Sequence, residues 1–338
     1  MSSHPTTGRP KIAVIGTGGT ISSMGRGPFD IADYATLGQV MTSAQLLEFW
    51  PQVQEVAEAF AVPYKAVAST ALGPVEWLEL VKLCDETVAR HPDIDGIVIT
   101  HGTATLEETA YFLSLTVKVE VPVVVVGAQR PSTGLSSDAG MNLANACRVA
   151  GDPRARGLGA LVLLNDEIHA AREVTKTSTS RLQTFRTPDF GVLGHVDADA
   201  VAWYRKPLRK LGRETEFDVR GLSSLPRVDI VYCYAGADGA AVQAFVAAGA
   251  QGLVSAGFAP SFVTPAMGET MIAAIAAGTP IAASTRAGSG RMFYTTRMRE
   301  AGFVNADNLN PQKARILLML ALTVTTNHTE LNRIFAEY

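Results

Sequence analysis

Apolar residues in this chain fall in short β-branched runs that stop at glycine and hydroxyl residues. Between those runs lie stretches of helical period. The clearest run is Gly96-Ile97-Val98-Ile99-Thr100. A continuous apolar segment of strand length, rather than an alternating one, predicts a strand covered on both faces, as in a parallel sheet. It gives way to His101-Gly102-Thr103-Ala104, after which Thr105-x-x-Glu108 has the spacing of a capping box at the start of a helix. Thr103 is therefore expected at the carboxyl end of a buried strand, beside a helix N-terminus, where open α/β sheets bind their ligands. An ordinary strand-to-helix turn would use the same residues, so the rest of the chain has to decide.

The alternation runs along the whole sequence. Strands are expected at 11–15, 64–67, 121–126 and 158–164, with helices at 43–50, Pro74–Arg90 and about 138–149. Pro74 suits a first helical turn, and Trp77, Leu78, Val81 and Cys84 share one face. Strand, helix, strand repeated in this way predicts a doubly wound, mostly parallel α/β sheet. A basic, apolar-poor stretch then carries Arg205, Lys206, Arg209, Lys210 and Arg213, and reads as a linker with a solvated face. A second, smaller α/β unit follows. Its strands are expected at Val228–Tyr232, 252–255 and 280–284, and its Ala-rich helices at 240–248 and 266–277. A long helix is opened by Asn310-Pro311, and Thr329 is the expected cap of the last one. The expected domains are 1–203 and 226–338, joined by 204–225.

Composition narrows the function. The chain has 338 residues with 29 Lys plus Arg against 32 Asp plus Glu, a net charge of −3, so nothing points to nucleic acid or an anionic membrane. Charged residues make up 18%, below the roughly 25% usual for soluble domains, as expected of an oligomer that buries part of its surface or of a large core. Met1 to Pro10 is polar with no leader-like apolar core, and no apolar segment is long enough to cross a bilayer. Cys84, Cys147 and Cys233 are widely spaced in apolar contexts, which reads as buried thiols in a reducing compartment. A cytoplasmic location is the expectation.

The first strand runs directly into Gly16-Thr17-Gly18-Gly19-Thr20-Ile21. A dinucleotide fingerprint would need a glycine where Ile21 stands and a helix after it, and it has neither. The glycines instead allow a bend that turns the Thr20 hydroxyl toward a cavity, with Tyr34 on the following loop closing over it. Lys176, in a hydroxyl-rich stretch without helical period, would alone read as a solvated lysine.

Taken together, these motifs resemble the bacterial-type asparaginase/glutaminase family from Lys11 to Tyr338. The matching segments are Thr17-Gly18-Gly19-Thr20-Ile21, Ile99-Thr100-His101-Gly102-Thr103, Val126-Gly127-Ala128-Gln129-Arg130-Pro131-Ser132-Thr133, Val174-Thr175-Lys176-Thr177 and Asn308-Leu309-Asn310-Pro311-Gln312-Lys313-Ala314-Arg315. The resemblance implies a large and a small α/β domain and a homotetramer of close dimers, each site completed by a neighbour's small domain. It implies an amidohydrolase acting on a small-molecule amide, with no cofactor and no metal. Thr20 would be the nucleophile with Tyr34 beside it, and Thr103 with Lys176 a second hydroxyl–amine pair. Which threonine attacks and which activates water stays open. Gly19, Ser69, Thr70, Gly102, Ala104 and Ala128 would line the substrate, Ser69 at the position that holds its carboxylate and Ala128 through a backbone carbonyl.

The departures are concentrated where such a family binds an α-ammonium. An Asp is expected after the second threonine, where it also orients the lysine; this chain has Ala104. Thr70 and Ala71 replace a Gln and an Asp, and Gly257-Phe258-Ala259-Pro260-Ser261-Phe262 lacks the family's Asn residues. Three readings follow: an amidohydrolase with altered acyl specificity, an ordinary asparaginase whose acid comes from Asp30, Asp33 or a neighbour's Glu269, or a ligand-binding homologue without catalysis. Retention of Thr20, Tyr34, Thr103 and Lys176 together favours an enzyme, since a binding module has no use for both pairs.

Overall fold

The structure, a computed structural model, describes residues 8–338. The leader-free reading of the N-terminus rests largely on residues 1–7, which lie outside the described residues. The chain separates into two compact units, one ending at Glu214 and the other running from Thr215 to Tyr338.

In the first unit the order is β1 (Lys11–Gly16), α1 (Ser43–Phe49), α2 (Val53–Val56), β2 (Glu58–Val62), α3 (Pro74–Arg90), β3 (Gly96–Thr100), α4 (Leu106–Thr116), β4 (Val123–Val126), α5 (Ala139–Ala150) and β5 (Ala160–Leu164). These five strands pair in parallel in the order β2-β1-β3-β4-β5. Both faces are covered, as the uninterrupted apolar runs require. Ile12, Val14, Val98 and Val124 pack with Leu46, Leu47, Leu143 and Cys147 from the helices on one side. The helices α3 and α4 pack together, where Trp77 stacks on Phe112 at 5.2 Å between ring centroids and donates its indole N–H to Thr109 Oγ1 at 2.9 Å.

After β5 the sheet changes character. The strands β6 (Glu167–Ala170), β9 (Gly194–Val196) and β10 (Val201–Trp203) continue it antiparallel, giving eight strands in all. The switch is made by Asn165 and Asp166, both at positive φ (52° and 64°). A two-residue loop of that kind makes a hairpin, because a parallel return would need a long crossover. Between β6 and β9 lies a small antiparallel ribbon, β7 (Thr175–Lys176) with β8 (Phe185–Arg186), which carries Lys176.

The second unit holds a four-stranded parallel sheet, β11 (Val228–Tyr232), β12 (Gly252–Gly257), β13 (Ile281–Thr285) and β14 (Val304–Asn305), paired in that order. Helices α6 (Ala240–Ala247) and α7 (Pro265–Ala276) supply Val242, Met267 and Met271 to its core. A short α8 (Thr296–Glu300) precedes β14. The helix α9 (Pro311–Ala321) packs on β11 to β13, and α10 (His328–Glu337) on β14.

Three local expectations are corrected. The predicted strand at 64–67 does not form; the edge strand is Glu58–Val62, and Val67 N–H instead donates to Thr17 O at 2.9 Å. Thr105 does not cap α4, for its hydroxyl is drawn away to Ser69 O at 2.8 Å. The cap of α10 is Asn327 rather than Thr329, its side chain accepting from Thr329 N and Glu330 N. The basic stretch expected as a solvated linker is also more engaged than its composition conveyed. Arg205 pairs with Glu173 at 2.5 Å, and Leu211, Phe217 and Val219 are buried.

Candidate active site

Adjacent parallel strands β1 and β3 run in register to Gly16 opposite Thr100. The chain leaves β1 for β2 on one side and leaves β3 for β4 on the other, so a crevice opens between their carboxyl ends at this topological switch point. Thr17 ties the two exits, with its N–H and its hydroxyl both donating to Thr100 O, at 3.1 and 2.8 Å. Two glycines then bring the loops into backbone contact. Gly19 has φ +84°, and a Cβ on it would lie 2.2 Å from Gly102 Cα. A Cβ on Gly102 would lie 2.7 Å from Ser69 Oγ. Any side chain at either position would hold the three loops apart. Thr20 and Thr103, each one residue beyond its glycine, are brought to the same crevice with the buried Ser69.

Each threonine has a partner. Thr20 Oγ1 lies 2.8 Å from Tyr34 Oη. Tyr34 sits in a 3-10 turn, Asp33–Leu37, at the end of a loop held by its own side chains and by the loop after β4. Asp30 accepts from Arg26 N and Asp33 N, both at 3.0 Å. From the other side Ser132 Oγ donates to Ile21 O at 2.7 Å, and Thr133 Oγ1 accepts from Gly25 N at 2.8 Å. Asp30, one of the acids considered as a stand-in for Ala104, is therefore occupied by its own loop, and Asp33 is exposed.

Thr103, which is buried, accepts from Lys176 Nζ at 2.7 Å. Burial holds the Lys176 amine below its ordinary value, because desolvation disfavours the ammonium, while the nearby Glu107 carboxylate pulls it back up. Two residues that sequence reasoning passed over support this pair: Glu107 Oε1 accepts from Thr175 Oγ1 at 3.1 Å and from the Lys176 backbone N–H at 3.2 Å. No spacing in the sequence linked α4 to a strand 68 or 69 residues later. His101 is fully buried with its pKa pushed down to about 4 by desolvation, so its imidazole is neutral at physiological pH, and Nδ1 lies 2.7 Å from Gly102 O.

The remaining expected site residues divide by exposure. Ser69 is buried beside Gly102, and Ala128 is fully buried in the loop after β4. Thr70 and Ala104 lie exposed on the same loops as Ser69 and Thr103, with Ala71 exposed beside Thr70. Among the described residues no group of three or more His, Cys, Asp or Glu is placed to hold a metal ion. The arrangement offers two hydroxyls, each bonded to a titratable group, in one crevice. That is the equipment for acyl transfer from an amide to water.

Comparison with known proteins agrees with the geometry. Residues 11–209 match the model of the N-terminal asparaginase domain, and residues 227–335 that of the glutaminase/asparaginase C-terminal domain. The chain is 40% identical to L-asparaginase 2 of Bacillus subtilis, covering 97% of this chain and 87% of the relative. It is 41% identical to a probable periplasmic L-asparaginase of Haemophilus influenzae, covering 97% and 93%. The crystal structure of a probable cytoplasmic L-asparaginase from Campylobacter jejuni superposes with a TM-score of 0.92 at 36% identity, covering 98% of this chain and all of the other. The chain belongs to the asparaginase family. It is a hydrolase of that family, acting on carbon–nitrogen bonds other than peptide bonds.

A neutral Lys176 can take a proton from Thr103, while the ammonium cannot. Activity limited by this group therefore rises with pH as the amine deprotonates, giving the acidic limb of the profile. Lys176→Met is expected to cost about 100-fold or more in kcat and to abolish that limb. A pH–rate profile of the variant that keeps the limb would show that Lys176 is structural.

Proposed function

We propose that this chain is a threonine-nucleophile amidohydrolase whose preferred acyl group lacks a free α-ammonium. The single observation that carries the proposal is the pairing of two intact hydroxyl dyads, Thr20–Tyr34 and Thr103–Lys176, with an exposed Ala104 where an acid would be needed. Thr20 Oγ1 attacks the amide carbon, and its proton passes to the Tyr34 side. Tyr34 relays that proton to the amide nitrogen, the carbon–nitrogen bond breaks and ammonia or an amine leaves, and the acyl group remains as an ester on Thr20. Lys176, through Thr103, draws a proton from the water that hydrolyses this ester and restores Thr20. Gly19, Ser69, Thr70, Gly102, Ala104 and Ala128 line the acyl group, Ser69 holding a carboxylate where the substrate has one.

An α-ammonium in a partly desolvated pocket needs carboxylate or amide oxygens around it. At the matching positions this chain offers Ala104, Thr70 and Ala71, and Asp30 is occupied by its loop. Losing one charge-assisted contact is worth roughly 1.5–3 kcal/mol, or about one to two orders of magnitude. Acyl groups that are desamino, N-acylated or larger and apolar avoid the penalty. Each site is proposed to be completed by a neighbour's small domain in a homotetramer of close dimers, with a catalytic domain at 1–203, a linker at 204–225 and a C-terminal domain at 226–338. The exposed Phe262 and half-buried Phe258 supply apolar surface for such a contact. A cytoplasmic location is proposed on the three buried free cysteines.

Thr20→Ala is expected to remove nearly all hydrolysis with little loss of stability, since the deleted hydroxyl is only half buried; substantial residual turnover would move the nucleophile to Thr103. The substrate is tested by ammonia release from L-Asn against succinamic acid, which differs only by lacking the amino group, together with a panel of lactams, imides and esters. The desamino amide is expected to be turned over at least as well. A strong preference for L-Asn would identify an ordinary asparaginase instead, and no turnover or acyl adduct with any donor would identify a binding protein. Light scattering is expected to report a tetramer or a close dimer at micromolar concentration, and an active monomer would exclude a shared site.

A further inference from the structure

The carboxylate that attends Lys176 does not come from the residue beside Thr103. Position 104 is Ala104, while Glu107, in the first turn of α4, is buried and reaches across to the β7 strand. Its Oε1 accepts from the Lys176 backbone N–H at 3.2 Å and from Thr175 Oγ1 at 3.1 Å. A buried carboxylate is costly unless it is paired and hydrogen-bonded, and this one sits at the base of the only lysine bonded to Thr103 among the described residues. The ribbon that bears Lys176 is two residues long on each strand. Two pairs of ladder residues position a long side chain poorly, so an anchor from a rigid helix has a clear mechanical use.

We propose that Glu107 is the positioning residue of the Thr103–Lys176 pair: its buried carboxylate pins the backbone from which Lys176 springs and places a negative charge at the base of that side chain. The proposal rests on the reading of Lys176 as a base. The surrounding charges leave that role to Glu107. Glu173, upstream on the same segment, is paired with Arg205. Arg172 is buried and acts on Tyr111. Arg186, on the facing strand β8, stands opposite Thr175 and is exposed. On α4 the neighbouring Glu108 is half buried and is engaged elsewhere in the fold. His101, one residue before Gly102, is neutral. Of these groups it is the charge of Glu107 that bears on the Lys176 ammonium.

Two variants separate charge from anchorage. In Glu107→Gln the side-chain oxygen can still accept both hydrogen bonds while the charge is gone. In Glu107→Leu both are lost. The expected result for Glu107→Gln is a plateau kcat within a few-fold of the parent and an acidic limb moved to lower pH, because the ammonium has lost its stabilising anion. For Glu107→Leu, kcat is expected to fall about 100-fold with KM little changed, as for a misplaced catalytic group. The titration is also read without turnover, by the pH dependence of acetic anhydride labelling of Lys176 followed by mass spectrometry, and its midpoint is expected to fall in Glu107→Gln. A midpoint and an acidic limb both unchanged in Glu107→Gln would overturn the proposal. A shifted midpoint with an unmoved limb would support Glu107 as the group that sets the amine and overturn the reading of Lys176 as the base. Melting temperature identifies a Glu107→Leu variant that has failed to fold, and Glu107→Gln then carries the test.

Discussion

The site depends on one close approach, that of the Gly19 and Gly102 backbones at the carboxyl ends of β1 and β3. Neither glycine has chemistry of its own. With a Cβ on Gly19 only 2.2 Å from Gly102 Cα, both loops would have to part, and the hydroxyls that follow them would part too. The sheet makes this approach possible. Neighbouring parallel strands hold their ends about 5 Å apart, and the opposite crossovers from β1 and β3 keep helices from filling the gap. The geometry of the crevice follows from the absence of two side chains.

Burial then tunes what the approach has assembled. Thr103 and Glu107 are buried and Lys176 is half buried, so the ammonium has lost part of its hydration and its amine lies below the ordinary lysine range. The same desolvation keeps His101 neutral one residue from the crevice. The Tyr34 side differs, since its loop is exposed and depends on Asp30 inside and on Ser132 and Thr133 outside. One dyad is set in the core of the sheet and the other on a loop laced down at a few points.

Strand and helix identities were legible wherever burial on both faces left an uninterrupted apolar run. Lys11–Gly16, Gly96–Thr100 and Val123–Val126 were readable for that reason, and Pro74–Arg90 because proline and helical period agree. Legibility failed at edges and ends. Glu58–Val62 is an edge strand whose alternation is diluted by exposure, so the expectation slipped to 64–67. Thr105 has the residue types of a cap, but Ser69 O competes for its hydroxyl, and Ser69 is distant in sequence. The antiparallel half of the large sheet had a readable signal, Asn165-Asp166 between two apolar runs, which the parallel pattern around it obscured.

By itself the sequence determined the class of the fold and the family, because those depend on local period and on motif residues in order. It determined equally that position 104 carries no acid. The resemblance already put Tyr34 beside Thr20 and Lys176 with Thr103; only the tertiary structure gave those pairs their distances and added Glu107. Thr20 bonds Tyr34 across 14 residues and Thr103 bonds Lys176 across 73, and Glu107 holds the strand beneath Lys176 from the first turn of a helix. A contact of that kind is set by the packing of β1, β3 and α4 and by which glycines let the backbones touch. Residue order along the chain carries no distance information of that sort.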